Sequence, residues 1–474
     1  MKNIQVPSKI PSCHSIKNLI LVSCFICIIY FLYPIILAPN YTNSLHTSVS
    51  SQEHDLSSPT TLQHVVFGIA SNEKSWSKRK ELVKLWYKSN EMKGCVFLEK
   101  MPNSSTNDSL LLPPICISED ISRFPYTNKG GNPSAIRVAR VVSETVALNH
   151  SNVRWFVFGD DDTIFFPENL VKTLSKYDHG LWYYIGSNSE SFIQNKFFSF
   201  EMAFGGAGFV ISYPLAKVLA KVFDSCIERY PHLYGSDGRI HACLTELGVT
   251  LTHEPGFHQM DFHGNVFGLL AAHSIRPLVS LHHMEIIDPI FPNMTRMKAL
   301  EHLYQAASFY PQRILQQTVC YDRRFSWTVS VSWGYAVQVF AHNVFLPDAQ
   351  RVQESYFPWK KNAYGTLYEY NTRKFESDPC KKQIVYFLDN VSSSMDEIKT
   401  IYKKKTTSEN CTFGKNSPRK LEEIRVFSHK LDLDTNQLLA PRRHCCDVLP
   451  STSGKVMEIG IRECKEDELI YMHK

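Results

Sequence analysis

The chain has 474 residues, of which 43% are hydrophobic, 20% charged and 12% aromatic. That is the composition of a globular protein, and it excludes a mainly disordered or collagen-like chain. The 51 Lys and Arg against 46 Asp and Glu leave a net charge of +5, with no long basic run, so nucleic acid binding has no electrostatic footprint here.

Leu19 to Ala38 is one uncharged apolar run. As a helix it is long enough for the hydrocarbon layer, about 30 Å at about 1.5 Å per residue. Lys2, Lys9 and Lys17 precede it, and no charge follows until Glu53. This bias predicts residues 1–18 in the cytosol, an anchor over 19–38 and the remainder across the membrane. The other reading is a cleaved signal peptide, whose apolar core is usually shorter, about 7–15 residues. Sequons at Asn40, Asn103, Asn107, Asn149, Asn293, Asn390 and Asn410 agree with a lumenal body. So do the ten cysteines beyond the anchor, an even number that fits disulfides in an oxidising compartment. No Cys-x-x-Cys occurs among them, which argues against a structural zinc site.

Residues 39–62, rich in Ser, Thr, Asn and Pro, read as a flexible stem. His64 to Ala70 reads as a buried strand. Trp76 to Tyr87 follows as an amphipathic helix with Leu82, Val83 and Trp86 on one face. Residues 101–114 read as a loop, Ser134 to Leu148 as a second helix, and Val153 to Phe158 as a second buried strand. Strand, helix, helix, strand predicts an α/β domain with a mixed, mostly parallel sheet. Leu181–Gly186 and Glu201–Ser212 read as strands. Pro214 opens a helix through Phe223. Ser236 and Asp237 open another, closed by Gly248. Beyond Pro292 the texture changes to a helix over Met294–Gln317 and short apolar strands over Phe325–Phe345. We therefore expect one domain over 63–290 and a C-terminal extension over 291–474, whose independence the sequence leaves open. Its aromatic residues, Trp327, Trp333 and Trp359 among them, read as core or as sugar-stacking surfaces.

Four features carry chemistry. Asp160, Asp161 and Asp162 sit directly after a buried strand. In open α/β sheets ligands bind beyond the carboxyl ends of strands, and clustered carboxylates suit Mg²⁺ or Mn²⁺ held with substrate phosphates. An acidic turn is the plainer reading. Gly205-Gly206-Ala207-Gly208 interrupts a strand-like run and marks close backbone approach, to a ligand or to a packed neighbour. Asp237 at a helix start is either a cap or a base. His282 and His283 complete a metal shell or are hydrogen-bonded in the core.

In this order, behind an anchor, these elements resemble the fringe-related β1,3-glycosyltransferases, most closely their plant branch. The similarity runs from about His64 to Pro292, with a further plant-like block at Cys320 to Gly334. The resemblance implies a GT-A fold, a UDP-sugar donor, a glycan or glycoprotein acceptor, Mn²⁺ or Mg²⁺, and inverting transfer in the Golgi by a single-pass type II membrane protein. Carried over by residue, it makes Asp160, Asp162 and His282 metal ligands, Asp162 above all, and Asp237 the base. It places Asp161, Gly206, Ala207, Gly208 and Arg79 along the donor. Two other classes stand beside this one: a non-catalytic glycan-binding protein that kept the fold, and a metal-dependent hydrolase.

Overall fold

The computed structural model describes residues 58–474 except 103–110, 360–366, 406–410, 413, 415, 431–432, 452 and 473–474. The anchor and most of the stem lie outside the described residues, as do the sequons at Asn40, Asn103, Asn107 and Asn410. Among the described residues no helix is long and apolar enough to cross a membrane.

The first sheet contains β1 (Val65–Ala70), β2 (Lys93–Leu98), β3 (Ile115–Ile117) and β4 (Trp155–Asp160). A two-residue β5 (Ile164–Phe165) leaves this sheet. The first sheet then continues through β6 (Tyr184–Gly186), β7 (Phe209–Ser212) and β8 (Leu251–His253). The order is β3-β2-β1-β4-β7-β6-β8. β7 alone runs against its neighbours, so the sheet is mixed and mostly parallel.

Alternation along the strands builds two cores. Val65, Phe67, Ile69, Trp155 and Val157 face one side, and Val66, Phe97, Phe156 and Phe158 the other. Helices α1 (Glu73–Trp86) and α2 (Ser134–Ala147) follow the first strands. After α3 (Pro167–Leu174) and α4 (Phe192–Phe197) come α5 (Tyr213–Ile227) and α6 (Ser236–Glu246). α2, α5 and α6 cover the second face together.

The sequence reading passes over β2 and β3, which stand between the first two helices. β2 is a short apolar run broken by Gly94, and β3 is only three residues long. The predicted strand over Glu201–Ser212 shrinks to Phe209–Ser212, because 205–207 form a turn.

A small sheet sets the site. β9 (Phe257–His258) and β11 (Ser280–Leu281) flank each other, β10 (Phe262–Gly264) falling between them in the chain, with β5 on the other side of β11. β11 runs antiparallel to β5, with Leu281 opposite Ile164, and parallel to β9, with Leu281 opposite His258. One residue further, His282 stands beside Thr163 and Gln259.

The second large sheet has eight strands between Gln317 and Arg462. Its residues Val329, Tyr335, Tyr386 and Ile459 join the same apolar layer as Phe67 and Trp155, and Ser57–Lys474 form one compact unit. Trp327, Trp333 and Tyr335 are core, whereas Phe345 and Phe357 are exposed.

All ten cysteines beyond the apolar run are paired, as Cys95–Cys116, Cys226–Cys243, Cys320–Cys446, Cys380–Cys411 and Cys445–Cys464. Cys226–Cys243 staples α5 to α6, the helix that carries Asp237. Replacing both with Ser is expected to cost about 3 kcal/mol in urea unfolding, the loop-closure value for a loop of this size. A loss below about 1 kcal/mol would show that the staple adds little to helix packing.

Candidate active site

Strand register decides where each acidic residue goes. Asp160 ends β4 opposite Ala70, which sets Ser71 beside Asp161. The Asp161 carboxylate accepts hydrogen bonds from Ser71 Oγ at 2.6 Å, Ser75 Oγ at 2.5 Å and Arg79 Nη1 at 3.0 Å. Asp161 is thus committed to fixing the start of α1. Asp160 and Asp162 point elsewhere. The turn that separates them is locked by Thr163, whose Oγ1 accepts from the Asp160 N–H at 2.8 Å and donates to Gly206 O at 2.7 Å.

Asp162 is buried, with Oδ1 3.1 Å from His282 Nε2 and Oδ2 3.1 Å from Arg79 Nη2. His282 Nδ1 is 3.2 Å from Gln259 O. A carbonyl only accepts, so Nδ1 carries the proton and Nε2 faces the carboxylates. Asp160 Oδ2 lies 4.0 Å from the same Nε2. Asp160 lies deep, yet 39% of its side chain meets solvent. It is the member of the pair that a ligand can reach.

Charge follows from this crowding. Burial alone would lower His282, but Asp162 and then Asp160 outweigh it and raise the imidazole to about 9. Burial would raise Asp162, but His282 and Arg79 hold it well below the usual carboxylate range. Asp160 is raised by burial and by repulsion from Asp162. Burial and the charge on His282 lower His283 to about 3.

The four-residue Gly-Gly-Ala-Gly turn is the floor of the site. A Cβ on Gly206 would lie 2.1 Å from the His282 ring, and one on Gly205 2.6 Å from Asp237 Oδ1. The close approach that the glycines permit is therefore to the site's own side chains. Ala207 N–H donates to Gln259 Oε1 at 2.8 Å. Gly208 turns the chain at φ +83.

Asp237 does not cap its helix. Gly235 holds the cap position, and the Asp237 carboxylate accepts from Ser236 Oγ at 2.9 Å and from the Gly205 backbone. Burial raises it above the ordinary carboxylate value, against these two hydrogen bonds. A cavity of about 20 Å³ is lined by Asp160, Gly205 and Asp237 together.

Three residues that the sequence reading did not single out complete the site. Gln259 ties His282, Ala207 and Asp261 together, with Nε2 3.3 Å from Asp261 Oδ1. Burial and Glu190 raise Asp261 to about 6, against Ser189, which donates to it at 2.6 Å. Glu285 pairs with Arg79 beside Asp162. Gln259 and Asp261 were hidden because their positions depend on β9 lying beside β11, which no local pattern announces.

The donor set fits a divalent cation. Ligand atoms of Asp162, His282 and His283 all lie within 4.8 Å of one another. His283 sits at φ 57, its ring on that of His282 with centroids 3.6 Å apart. Its buried Nδ1 has no hydrogen-bond partner. That nitrogen, 3.8 Å from Asp261 Oδ1, is a buried polar atom that a cation could satisfy. A much larger cavity, about 1260 Å³, lies along the second sheet; Trp327 and the disulfide-bonded Cys320, Cys445 and Cys446 line part of it, but Asp160, Asp162, the glycine turn, Asp237 and His282 do not.

Without divalent cation, the His282–Asp162 pair stabilises the fold in a window set by both groups. A raised His contributes in full below its unfolded value of 6.5 and loses that contribution as pH rises through about 9. A lowered Asp contributes above 3.8 and loses that as pH falls. Thermal melts in chelator are expected to show stability falling from pH 6.5 to 9.5, and Asp162→Asn is expected to flatten that fall. An unchanged slope in the variant would show that the pair is not formed.

The family described as "Protein of unknown function, DUF604" matches residues 194–446, and the chain belongs to it. A mouse protein named beta-1,3-glucosyltransferase is 30% identical over 148 residues, 30% of this chain. The match spans only 28% of the mouse protein's own length. Among solved structures, a glycosyltransferase involved in the glycosylation of the major capsid of PBCV-1 aligns over 50% of this chain and 97% of its own. Its identity is 11% and its TM-score 0.27.

Proposed function

We propose that this member of the DUF604 family is an inverting, metal-dependent glycosyltransferase of the fringe-related class, closest to its plant branch. It moves a sugar from a UDP-sugar to a glycan or glycoprotein hydroxyl, with β1,3 the first linkage to test. The observation that carries this reading is the convergence of Asp160, Asp162, His282 and Asp237 on one glycine turn. They come from three separate segments of the chain, and the glycine turn is a fourth. The mouse relative's name supports the reading and puts glucose first among donor sugars.

Asp162 and His282 would hold Mn²⁺ or Mg²⁺, with His283 and Asp160 within reach. The cation, when bound, supplies the positive charge that a departing diphosphate requires. The chain's own residues do the rest. Arg79 orients Asp162 and Asp161 at once. Gln259 O holds the Nδ1 proton of His282, so the proton a cation would displace is the one on Nε2. Asp237 takes the proton from the acceptor hydroxyl as that oxygen attacks the anomeric carbon from the face opposite the leaving group. Its raised pKa strengthens it as a base. One displacement inverts the centre, so no side-chain nucleophile is required.

Five disulfides support an oxidising compartment. We place the folded body in the Golgi lumen as part of a type II membrane protein anchored by 19–38. The donor site belongs to residues 63–290. A non-catalytic glycan-binding protein would have no use for a carboxylate that leaves its helix cap to Gly235 and meets Gly205 of the glycine turn instead.

Four outcomes test the reading on the full-length chain. UDP is expected to bind by calorimetry only with Mn²⁺ or Mg²⁺. Manganese affinity is expected to rise from pH 6.5 to 9, because coordination removes the His282 proton. Asp237→Asn is expected to lose at least about 100-fold in sugar transfer, the scale of a lost general base, while UDP binding survives. Asp162→Ala is expected to lose cation-dependent UDP binding itself. UDP binding indifferent to chelator would overturn the proposal.

A further inference from the structure

One residue before Gln259, the chain carries a histidine that the candidate active site does not use. His258 Nδ1 lies 2.9 Å from Glu190 Oε1, and its Nε2 lies 2.9 Å from Nε2 of His273. His273 Nδ1 is 2.9 Å from Ser274 O.

Ser274 O only accepts, so His273 Nδ1 carries a proton. Glu190 is a carboxylate acceptor whose other oxygen takes the Met260 N–H at 3.0 Å, so His258 Nδ1 carries a proton as well. A neutral imidazole holds one proton. Both Nε2 atoms are then left with lone pairs, aimed at each other. At this distance they repel unless a positive charge lies between them, and that charge is one further proton or a cation. Burial, and then His258, lower His273 to about 3, so His273 does not supply the proton.

The surroundings favour the cation. Both histidines line a cavity of about 580 Å³, which leaves room for further ligands. Glu190, Glu201 and Glu369 line it too, and among the described residues no Lys or Arg does. A ligating histidine usually donates its other ring N–H to a carboxylate or a carbonyl, which fixes its tautomer and its aim. Glu190 and Ser274 O stand in that position for His258 and His273. Paired imidazoles suit a borderline cation such as Zn²⁺, whereas Mn²⁺ and Mg²⁺ prefer oxygen. Two imidazoles fill half of a tetrahedral shell, and the cavity holds space for water or a carboxylate at the rest. The cysteine spacing bears on thiolate zinc sites, not on this one.

We propose that His258 and His273, oriented by Glu190 and Ser274, form a second cation site, for Zn²⁺, separate from the corner of Asp162 and His282. Asp160, Asp162, Asp237 and His282 do not line this cavity. A cation here joins β9 to the segment after Ala271. It also braces Glu190, whose backbone C=O takes the Glu369 N–H at 3.1 Å. The site is thus a staple on the strand that positions Gln259 beside His282, and it does not depend on the transferase reading.

The test titrates ZnCl₂ into the full-length chain by calorimetry. The unaltered chain is expected to show two binding events, because the Asp162 and His282 corner also accepts Zn²⁺. Asp162→Ala is expected to keep one event and His273→Gln the other. Glu190→Gln is expected to weaken the event that Asp162→Ala keeps by about tenfold, the effect of losing a ligand's orienting partner. Zinc-edge anomalous diffraction from a crystal of the unaltered chain needs no variant to fold, and a peak between the two Nε2 atoms is expected. No peak there at saturating ZnCl₂, or a single event that Asp162→Ala abolishes, overturns the site and assigns the gap to a proton. His273→Gln binding zinc as the unaltered chain does overturns it as well. A zinc peak at the histidine pair in a chain that binds no UDP with Mn²⁺ overturns the transferase reading and leaves this site standing.

Discussion

The account depends on one contact, Asp162 Oδ1 against His282 Nε2 at 3.1 Å. The two residues are 120 positions apart. They meet because β11 pairs antiparallel with β5 and parallel with β9, so that His282 emerges between the acidic turn and Gln259. A one-residue slip in either ladder would turn His282 to the other face and empty the site. The large sheet supplies the platform for this small one, and its two apolar faces hold it rigid.

The acidic turn divides its labour. Asp161 is spent on architecture, through two serines and an arginine, and that fixes the direction of its neighbours. Asp162 is held ionised by opposite charges on both sides, and Asp160 keeps solvent contact. Three adjacent carboxylates thereby acquire three environments. The environment that makes Asp162 acidic also makes His282 hold its proton, which is the proton the proposed cation would displace.

Much of this was legible in the sequence. The strands His64–Ala70 and Val153–Phe158, the helices from Ser134 and Ser236, and the acidic turn are local patterns, and each appears close to its expected place. Asp237 could not be settled locally, since a cap and a base look alike. In the fold Gly235 holds the cap position and Gly205 packs against the Asp237 carboxylate, which removes the cap reading and leaves the base as the proposal. Glycines 205–208 announced close approach but not its object, which proves to be His282 and Asp237. Gln259 and Asp261 gave no signal at all, because their roles come from β9 lying beside β11.

The most direct measurement is anomalous diffraction from a crystal of this protein soaked with MnCl₂ and UDP. The account predicts a manganese peak bounded by Asp162 and His282, with the diphosphate against it and Asp237 facing the open side. A corner without a peak, with Asp162 still paired to Arg79 and His282 and with UDP elsewhere or absent, would contradict it.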